Sequence, residues 1–486
     1  MLTPRSQRPL AAAALLAATA FAPVPLAAQQ SRAAHGTSTA GERVRHTAAG
    51  AIVLRRGTLV NPGRPSVPNA IVVVEGQRIV CAGPAGSGCT APRGARVIDV
   101  PGQFIAPGLI DAHVHYSQTG WVDGRPDAID LRAGYPYDSV AAYLTMHPER
   151  FHRAYLCSGI TSAFDVGGYP TTYALARSTI EATDAPRVVA AGPLLSTLDH
   201  WLNLPAMRQF VLMANDSIVR QTVRSHAWLG AGAIKVWNIT VADSLTPKMR
   251  QRLVAIGDEA RKVGLPLIVH ATSLARAKEA VAAGAAVLVH NVDEDTVDAE
   301  FVEAVRRAGT IVIPTLTVLE GYADAFLGRS PAERYPLDCV DPDTRRRLET
   351  ALPDTVRLRS PAMAARVQAR VARSATTSAE NLRRLYAAHV PIAAGTDAGN
   401  PGTAHGPSIY RELEAMQAAG MTPADVFASA TIVAARAMRL DGETGSIEPG
   451  KRADIVVFGA DPSADARNMR AVRYVIRNGA LYQPKT

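Results

Sequence analysis

Short apolar runs alternate with helix-like stretches along most of the chain. Eight such runs occupy residues 104–115, 160–165, 187–191, 233–237, 267–270, 287–290, 311–314 and 392–397. Strands that are apolar throughout and separated by helices are typical of a parallel sheet buried on both faces. The pattern therefore predicts an α/β fold, a (β/α)8 TIM-type barrel over residues 105–441. A helix-like, Arg-rich insertion at about 318–378 interrupts it and could form a lid.

A different pattern flanks this region on both sides. Residues 49–104 contain short runs rich in β-branched residues and bounded by Gly, Pro and Asn. Residues 442–486 begin with a turn at 445–450 and then contain two strand-like runs, 455–458 and 472–477. Together these segments predict a small β-sandwich domain to which both ends of the chain contribute.

The first residues have the three-part pattern of an export signal. Arg5 and Arg8 form a positive segment, residues 10–22 are apolar, and small residues near Ala28 offer a cleavage point. This apolar run is short for a membrane span. We expect residues 1–28 to be a signal peptide, residues 29–48 to be a flexible leader, and the protein to be periplasmic or secreted.

Cysteine use and charge limit the possible partners. Export permits disulfides, and Cys81 and Cys89 flank a turn-rich loop that could bring them together. The chain of 486 residues has a formal charge of +9, but its basic residues are scattered or lie in short helical stretches such as 345–347. Without a long basic tract that carries interleaved aromatic residues, we expect no nucleic acid partner. No later stretch reaches the length of a membrane span.

Metal-type ligands stand at the ends of several apolar runs. A barrel places its chemistry at the carboxyl ends of its strands, and imidazoles with a carboxylate suit zinc-like divalent ions. Taken singly, each residue has a plain structural explanation, such as a hydrogen-bonded histidine in the core. Their joint occurrence in one chain favours a metal site. The set comprises His113, His115, His270, His290 and Asp397.

Lys235 lies inside the fourth run, between Ile234 and Val236. A charged lysine is costly to bury among apolar neighbours. Its amine must therefore reach solvent, be neutralised chemically or take part in the chemistry of the site.

These motifs resemble those of the amidohydrolase superfamily. The resemblance is strongest to its imidazolonepropionase-like branch, which includes prolidase-type peptidases and ochratoxin-degrading amidohydrolases, and it covers nearly everything after residue 50. It rests on Pro107-Gly108-Leu109-Ile110-Asp111-Ala112-His113-Val114-His115, Lys235, His270, His290, Gly395-Thr396-Asp397-Ala398-Gly399, His405-Gly406 and the 445–454 segment.

The resemblance implies a binuclear metal site, with zinc as the expected metal. His113, His115 and Asp397 would hold the deeper ion, and His270 and His290 the other. In similar enzymes the lysine of the fourth strand reacts with carbon dioxide. The resulting carbamate, here on Lys235, would bridge the two ions together with a hydroxide.

The resemblance also implies roles in catalysis and substrate binding. Asp397 would accept the hydroxide proton and pass it to the leaving amine, and His290 would be a further catalytic residue. His405 would contact the substrate, although a surface position in its loop is the alternative. Weaker candidates for the pocket wall, each more simply explained as a bystander, are Tyr116, Asp199, His200 and Tyr322.

The function implied is metal-dependent hydrolysis of a C–N amide or peptide bond, in a dipeptide or an N-acyl amino acid. A cyclic amide, a lactone or a phosphoester is an alternative substrate, because each needs only a polarised centre and activated water. A mononuclear site and a non-catalytic exported metal-binding protein are further alternatives. We expect a small-molecule or short peptide substrate and a homo-oligomer. One departure bears on the substrate: Asn291 follows His290, where relatives more often have Gly.

Overall fold

The computed structural model describes residues 50–126, 130–198, 208–239, 241–349 and 361–484. The predicted signal peptide and leader lie outside these residues. The strands are β1 (Ile52–Leu59), β2 (Val67–Glu75), β3 (Arg78–Pro84), β4 (Arg96–Asp99), β5 (Phe104–Pro107), β6 (Leu109–Val114), β7 (Ile160–Asp165), β8 (Arg187–Ala190), β9 (Leu194–Ser196), β10 (Phe210–Leu212), β11 (Ile234–Trp237), β12 (Leu267–His270), β13 (Val287–Val289), β14 (Ile311–Ile313), β15 (Ile455–Phe458), β16 (Val472–Arg477) and β17 (Ala480–Tyr482).

The helices follow the predicted alternation with the strands. They are α1 (Tyr137–Met146), α2 (Glu149–Cys157), α3 (Thr172–Ser178), α4 (Asp216–Leu229), α5 (Thr246–Lys262), α6 (Leu274–Ala282), α7 (Ala299–Ala308), α8 (Val318–Leu327), α9 (Pro342–Glu349), α10 (Pro361–Ala387), α11 (Ser408–Ala418), α12 (Pro423–Ala428) and α13 (Ala434–Ala437), with a π turn at Ser429–Val433. Across the described ranges, none of them is both long and apolar enough to span a bilayer.

Both ends of the described chain contribute to one mixed sheet of eight strands. Its order is β17-β16-β15-β5-β1-β2-β3, with β4 beside β1. Buried aliphatic residues such as Leu54, Ile105 and Ile455 form its core. The sequence predicts a sandwich here, whereas hydrogen bonding joins all eight strands into a single sheet because β15 pairs directly with β5.

The central strands are parallel and buried, as the continuous apolar runs predict. They form a three-stranded sheet, β6-β7-β8, and a six-stranded sheet, β10-β9-β11-β12-β13-β14. Every residue of β6 and β7 is buried. The short strands β9 and β10 are additions that the sequence pattern did not indicate.

The eighth predicted run, 392–397, does not form a regular strand. Single bridges connect Ile392 to Val312 and Ala398 to Val114, so the segment lies between β14 and β6. The ladder is interrupted because the Ala394 N–H bonds to the carbonyl oxygen of Ser429 in the π turn, at 3.0 Å. The described strands therefore form mixed α/β sheets without a continuous closed barrel, and closure of the barrel stays a prediction.

Two disulfides are present, and the one predicted, Cys81–Cys89, is confirmed. The other joins Cys157 at the end of α2 to Cys339 in the insertion, 182 residues further along the chain. Close to it, Arg150 of α2 forms a 2.8 Å ion pair with Asp341. The insertion is thus covalently and electrostatically attached to the segment that follows β6.

The second disulfide is expected to contribute more stability than the first. Cross-linking a longer loop removes more conformational freedom from the unfolded chain, and such a bond typically contributes about 2–4 kcal/mol. A Cys157→Ser/Cys339→Ser variant should unfold at lower urea concentration than a Cys81→Ser/Cys89→Ser variant, which serves as the matched control. Equal midpoints for both variants in urea unfolding would contradict this ranking.

Candidate metal centre

All six residues predicted as metal ligands line one cavity. They are His113, His115, Lys235, His270, His290 and Asp397. Four strands and the 392–398 segment supply them, because the carboxyl ends of parallel strands open on the same edge of the sheet. Residues separated by up to 284 positions in sequence, from His113 to Asp397, therefore lie around one space.

His113, His115 and Asp397 form a compact group, with potential ligand atoms all within 4.8 Å of one another. Oδ1 of Asp397 lies 3.3 Å from Nε2 of His113 and 3.0 Å from Nε2 of His115. Burial lowers the pKa of His113 well below its usual value. Burial by itself would raise the pKa of Asp397, but the facing rings of His113 and His115 hold it well below the ordinary range.

The donor set of this group fits a divalent metal ion. Both ring nitrogens of His113 and Oδ1 of Asp397 are buried without a hydrogen-bond partner among the described residues. Buried polar atoms are normally paired, and leaving them unpaired costs free energy. Neutral imidazole nitrogens and an ionised carboxylate oxygen are the ligand types that zinc-like ions prefer. A cation would satisfy these atoms together.

Backbone hydrogen bonds join the two segments that carry this group. The Asp397 N–H donates to the His113 carbonyl oxygen at 2.7 Å, and the His115 N–H donates to that of Ala398 at 2.8 Å. Close approach requires glycine at position 395, where a Cβ would lie 2.6 Å from Ile313 and 2.8 Å from the Cβ of His113. Asp397 itself has a positive φ of 61°, an unfavourable conformation that turns its side chain out of the segment.

One buried carboxylate and one backbone carbonyl oxygen position the segments that carry the first pair of histidines. Asp111 accepts from the N–H of Thr396 at 3.0 Å and from its hydroxyl at 2.7 Å, which ties β6 to the Asp397 segment. Burial raises the pKa of Asp111 to about 7. The Nδ1–H of His115 donates to the Gly167 carbonyl oxygen at 2.6 Å, which leaves Nε2 as the ligand atom.

His270 and His290 form the second group. Their ring centroids are 4.5 Å apart, and His290 is 5.1 Å from His113. Nε2 of His290 lies 3.9 Å from Oδ2 of Asp397, while Nδ1 lies 2.6 Å from the hydroxyl of Thr315. Burial lowers the pKa of His290 to about 4 and that of His270 well below its usual value, so both rings are neutral ligands near pH 7.

Lys235 lies on β11 with only 2% of its surface exposed, and it lines the same cavity. Burial lowers its pKa to about 7, although the charges of Asp397 and Asp165 oppose this shift. Its flanking residues Ile234 and Val236 are fully buried. The amine therefore does not reach solvent and instead faces the metal-type ligands.

His405 does not line the cavity. Its ring stacks on Phe151 at 3.7 Å, and Nε2 lies 3.1 Å from the carbonyl oxygen of His115. The structure therefore places this predicted substrate contact behind the first histidine pair, where it supports the backbone of His115. Tyr116 packs in the same aromatic group, 6.0 Å from His405. The other weak candidates differ: Tyr322 lines the cavity, and Asp199 and His200 lie outside the described residues.

Sequence reasoning missed several polar residues of the cavity wall. Asn400 donates to the Asp397 carbonyl oxygen at 3.0 Å, and its own side-chain oxygen accepts from Arg125 and from the Tyr322 hydroxyl. Asp293 also lines the cavity. The sequence did contain an indication of these residues. Each of them stands in a loop that follows a ligand-bearing segment, as Arg125, Asp293 and Asn400 do.

Asn291, which departs from the family pattern, also lines the cavity. Its side-chain amide donates to the Ser378 carbonyl oxygen of α10 at 2.6 Å. The Asn291 side chain therefore connects the loop after β13 to the insertion.

Comparison with known proteins places this geometry in a family. Residues 104–481 match the sequence family described as the Amidohydrolase family, which is more than half of the chain. The chain belongs to the amidohydrolase family. Members generally use divalent metal ions, and in this amidohydrolase the group of His113, His115 and Asp397 is suited to hold one.

Relatives of this amidohydrolase include hydrolases of several substrates. An imidazolonepropionase of Rhizorhabdus wittichii is 28% identical over 442 residues, which cover 85% of this chain and 93% of that protein. A crystal structure of a Xaa-Pro dipeptidase with bound methionine superimposes with a TM-score of 0.66 at 22% identity, covering 89% of this chain and 100% of that one. A crystal structure of A. niger ochratoxinase superimposes with a TM-score of 0.66 at 22% identity, covering 90% of this chain and 96% of that one.

These findings establish an enzyme and leave its substrate open. The family and its sequence relatives show a hydrolase that acts on carbon–nitrogen bonds. At 22% identity the structural likeness shows the fold alone.

The hydroxyl of Thr315 should support metal binding through His290. A partner that orients a histidine ligand typically contributes 10- to 100-fold, by order of magnitude, to metal affinity. Thr315→Val should weaken zinc binding by about that factor in a competition titration with a chelator. Thr310→Val is the matched control, because that hydroxyl bonds to the Ala285 carbonyl oxygen away from the cavity. Equal zinc affinity in both variants would contradict the supporting role.

Proposed function

We propose that this amidohydrolase hydrolyses an amide or peptide bond in a small substrate that carries a carboxylate, such as a dipeptide or an N-acyl amino acid. Two divalent ions, zinc in our proposal, would be held by the two groups of ligands. The observation that carries the proposal is the convergence of six ligand-type residues on one cavity.

Lys235 would join the two groups as a carbamate. Its amine is buried beside four imidazoles and one carboxylate, where a free ammonium is costly and has little metal affinity. The ammonium first loses one proton, and the neutral amine then forms one N–C bond with carbon dioxide and releases a second proton. A cation is thereby replaced by an anion with two oxygen ligands, one for each group.

Asp397 is placed to move a proton during hydrolysis. Its Oδ1 lies between His113 and His115, whereas Oδ2 faces His290 in the second group. Bound divalent ions would lower the pKa of water and polarise the scissile carbonyl group. Oδ2 of Asp397 then accepts the proton of the attacking water and donates it to the departing amine.

Arg125 would bind the substrate carboxylate. It lines the cavity and donates to the side-chain oxygen of Asn400, which is itself bonded to Asp397. A guanidinium has five donors in a planar fork that matches the geometry of a carboxylate. This chain connects the carboxylate end of a substrate to the catalytic carboxylate.

We further propose that the enzyme is exported, that the 392–398 segment closes an eight-stranded barrel with β6 and β14, and that the protein forms a homo-oligomer. Two disulfides are consistent with an oxidising compartment. Backbone hydrogen bonds from the segment to both neighbouring strands support closure.

A hydrolysis screen of the zinc-loaded protein tests the function. The panel should contain dipeptides with varied C-terminal residues, N-acyl amino acids, lactones and a phosphotriester. Turnover of dipeptides or N-acyl amino acids supports the proposal. Turnover of lactones or phosphotriesters alone would refute it.

Replacing Lys235 tests the bridge between the two ligand groups. Lys235→Ala should lose one of two zinc ions and nearly all turnover, because the shared anionic ligand is removed. Zinc content by mass spectrometry and kcat on the best substrate measure both effects. Added short-chain carboxylic acids should restore part of the activity, since they can occupy the vacated space. Near-normal activity in the variant without additives would exclude the bridging role.

Replacing Asp397 tests proton transfer. Asp397→Asn keeps an oxygen ligand but cannot carry the proton, so kcat should fall by about 10²- to 10⁴-fold. Zinc content, measured in the same samples, separates loss of a ligand from loss of proton transfer. If the variant keeps activity, the proton is carried by a different group.

A further inference from the structure

We propose that Asp293 binds the protonated α-amino group of the substrate, which makes this enzyme a dipeptidase rather than a hydrolase of N-acyl amino acids. The inference rests on the proposed function and narrows its substrate class. It assigns a role to a carboxylate in the cavity wall that metal binding and proton transfer do not use.

Asp293 is held in a fixed position at the cavity. Its N–H donates to the Thr272 carbonyl oxygen at 3.0 Å, and its Oδ2 accepts from the Ser374 hydroxyl at 2.6 Å. Asn381 of the same helix, α10, donates to the carbonyl oxygens of Val292 and Asp295 at 2.8 and 2.7 Å. The loop that carries Asp293 is therefore bound on both sides of that residue, and the carboxylate is preorganised for a ligand.

The carboxylate of Asp293 has capacity for a cation. Among the described residues, no salt bridge involves Asp293, and no side chain donates to its Oδ1. It is only partly exposed and lines the same cavity as the metal-type ligands. An ionised carboxylate in such a position gains most from a ligand that brings both positive charge and N–H donors, as an ammonium does.

Asp293 and Arg125 line the cavity from loops that follow different strands. Arg125 follows β6, and its partner Asn400 follows the 392–398 segment beside β6. Asp293 follows β13 and is bonded to the loop after β12, and β14 separates these strands from that segment. The ligand-bearing strand ends line the same cavity as these two charged groups.

This charge pattern matches a dipeptide zwitterion. An extended dipeptide separates its ammonium and carboxylate by about 7 Å, with the scissile bond between them. With the carboxylate at Arg125 and the ammonium at Asp293, the peptide bond would lie in the cavity that the metal-type ligands line. An N-acyl amino acid leaves Asp293 without a cation, and the desolvated carboxylate then opposes binding.

The test uses substrates that differ only in the amino group. Alanyl-leucine and alanyl-proline are compared with propionyl-leucine and propionyl-proline on the zinc-loaded full-length enzyme, and propionyl-lysine is assayed beside them as a substrate with a side-chain ammonium. Wild type should favour the dipeptides by about 10-fold or more in kcat/KM, as expected for a charged hydrogen bond. Asp293→Asn should lose that preference, mainly through a higher KM for the dipeptides, with the propionyl substrates changed less than about 2-fold.

Two further variants distinguish loss of ammonium binding by Asp293 from a structural change in its loop. Ser374→Ala leaves the carboxylate but loosens it, so it should weaken only the dipeptides and by a smaller factor. Glu294→Gln is the matched control, because Glu294 is exposed, bonds to the Thr272 hydroxyl and does not line the cavity. It should leave both substrate classes unchanged.

Three results overturn the inference while the proposed function stands. They are a wild-type preference for the propionyl substrates, equal losses on both classes in Asp293→Asn, and an effect of that variant restricted to propionyl-lysine. The last result would assign Asp293 to a side-chain ammonium. If the zinc-loaded wild type cleaves neither class, the proposed function itself fails.

Discussion

The carboxylate of Asp397, buried among three imidazoles, is the interaction on which the site depends. One oxygen lies 3.0–3.3 Å from His115 and His113, and the other lies 3.9 Å from His290. Without a cation, this arrangement leaves buried nitrogens and an oxygen unpaired. Leaving these buried atoms unpaired costs free energy. Backbone hydrogen bonds nevertheless hold the segment of Asp397 against β6. The positive φ of Asp397 is a second local cost accepted at the same residue.

The rest of the barrel region arranges groups around this carboxylate. Asp111 and the Gly167 carbonyl oxygen orient the residues on one side, and Thr315 orients His290 on the other. The insertion then supplies part of the cavity wall, including Tyr322 and Ser374. The site thus combines rigid strand ends, which hold ligands, with loops that determine what enters.

The metal-type residues were predictable because their signal is local. Each stands at or near the end of an apolar run, so strand periodicity and barrel topology suffice to bring His113, His270 and Asp397 together. The Cys81–Cys89 disulfide was predictable for the same reason, since a short turn-rich loop separates its two cysteines.

Features that depend on long-range contacts were not predictable. The bond between Cys157 and Cys339 joins segments that no sequence pattern connects. The eighth run failed to form a strand because Ala394 bonds to a π turn located 35 residues later. His405 carried a motif signal, yet its ring stacks on Phe151 from α2 and not in the cavity. Asp293 and Arg125 lie in loops, where charge alone does not reveal which space a side chain faces.

The metal content of the wild-type enzyme tests the account most directly. The protein should be prepared with zinc and bicarbonate, freed of loosely bound metal, and measured by inductively coupled plasma mass spectrometry against protein concentration. The account predicts two zinc ions per chain. A value of one would contradict the bridged pair of ligand groups, and a value near zero with full activity would contradict the metal site altogether.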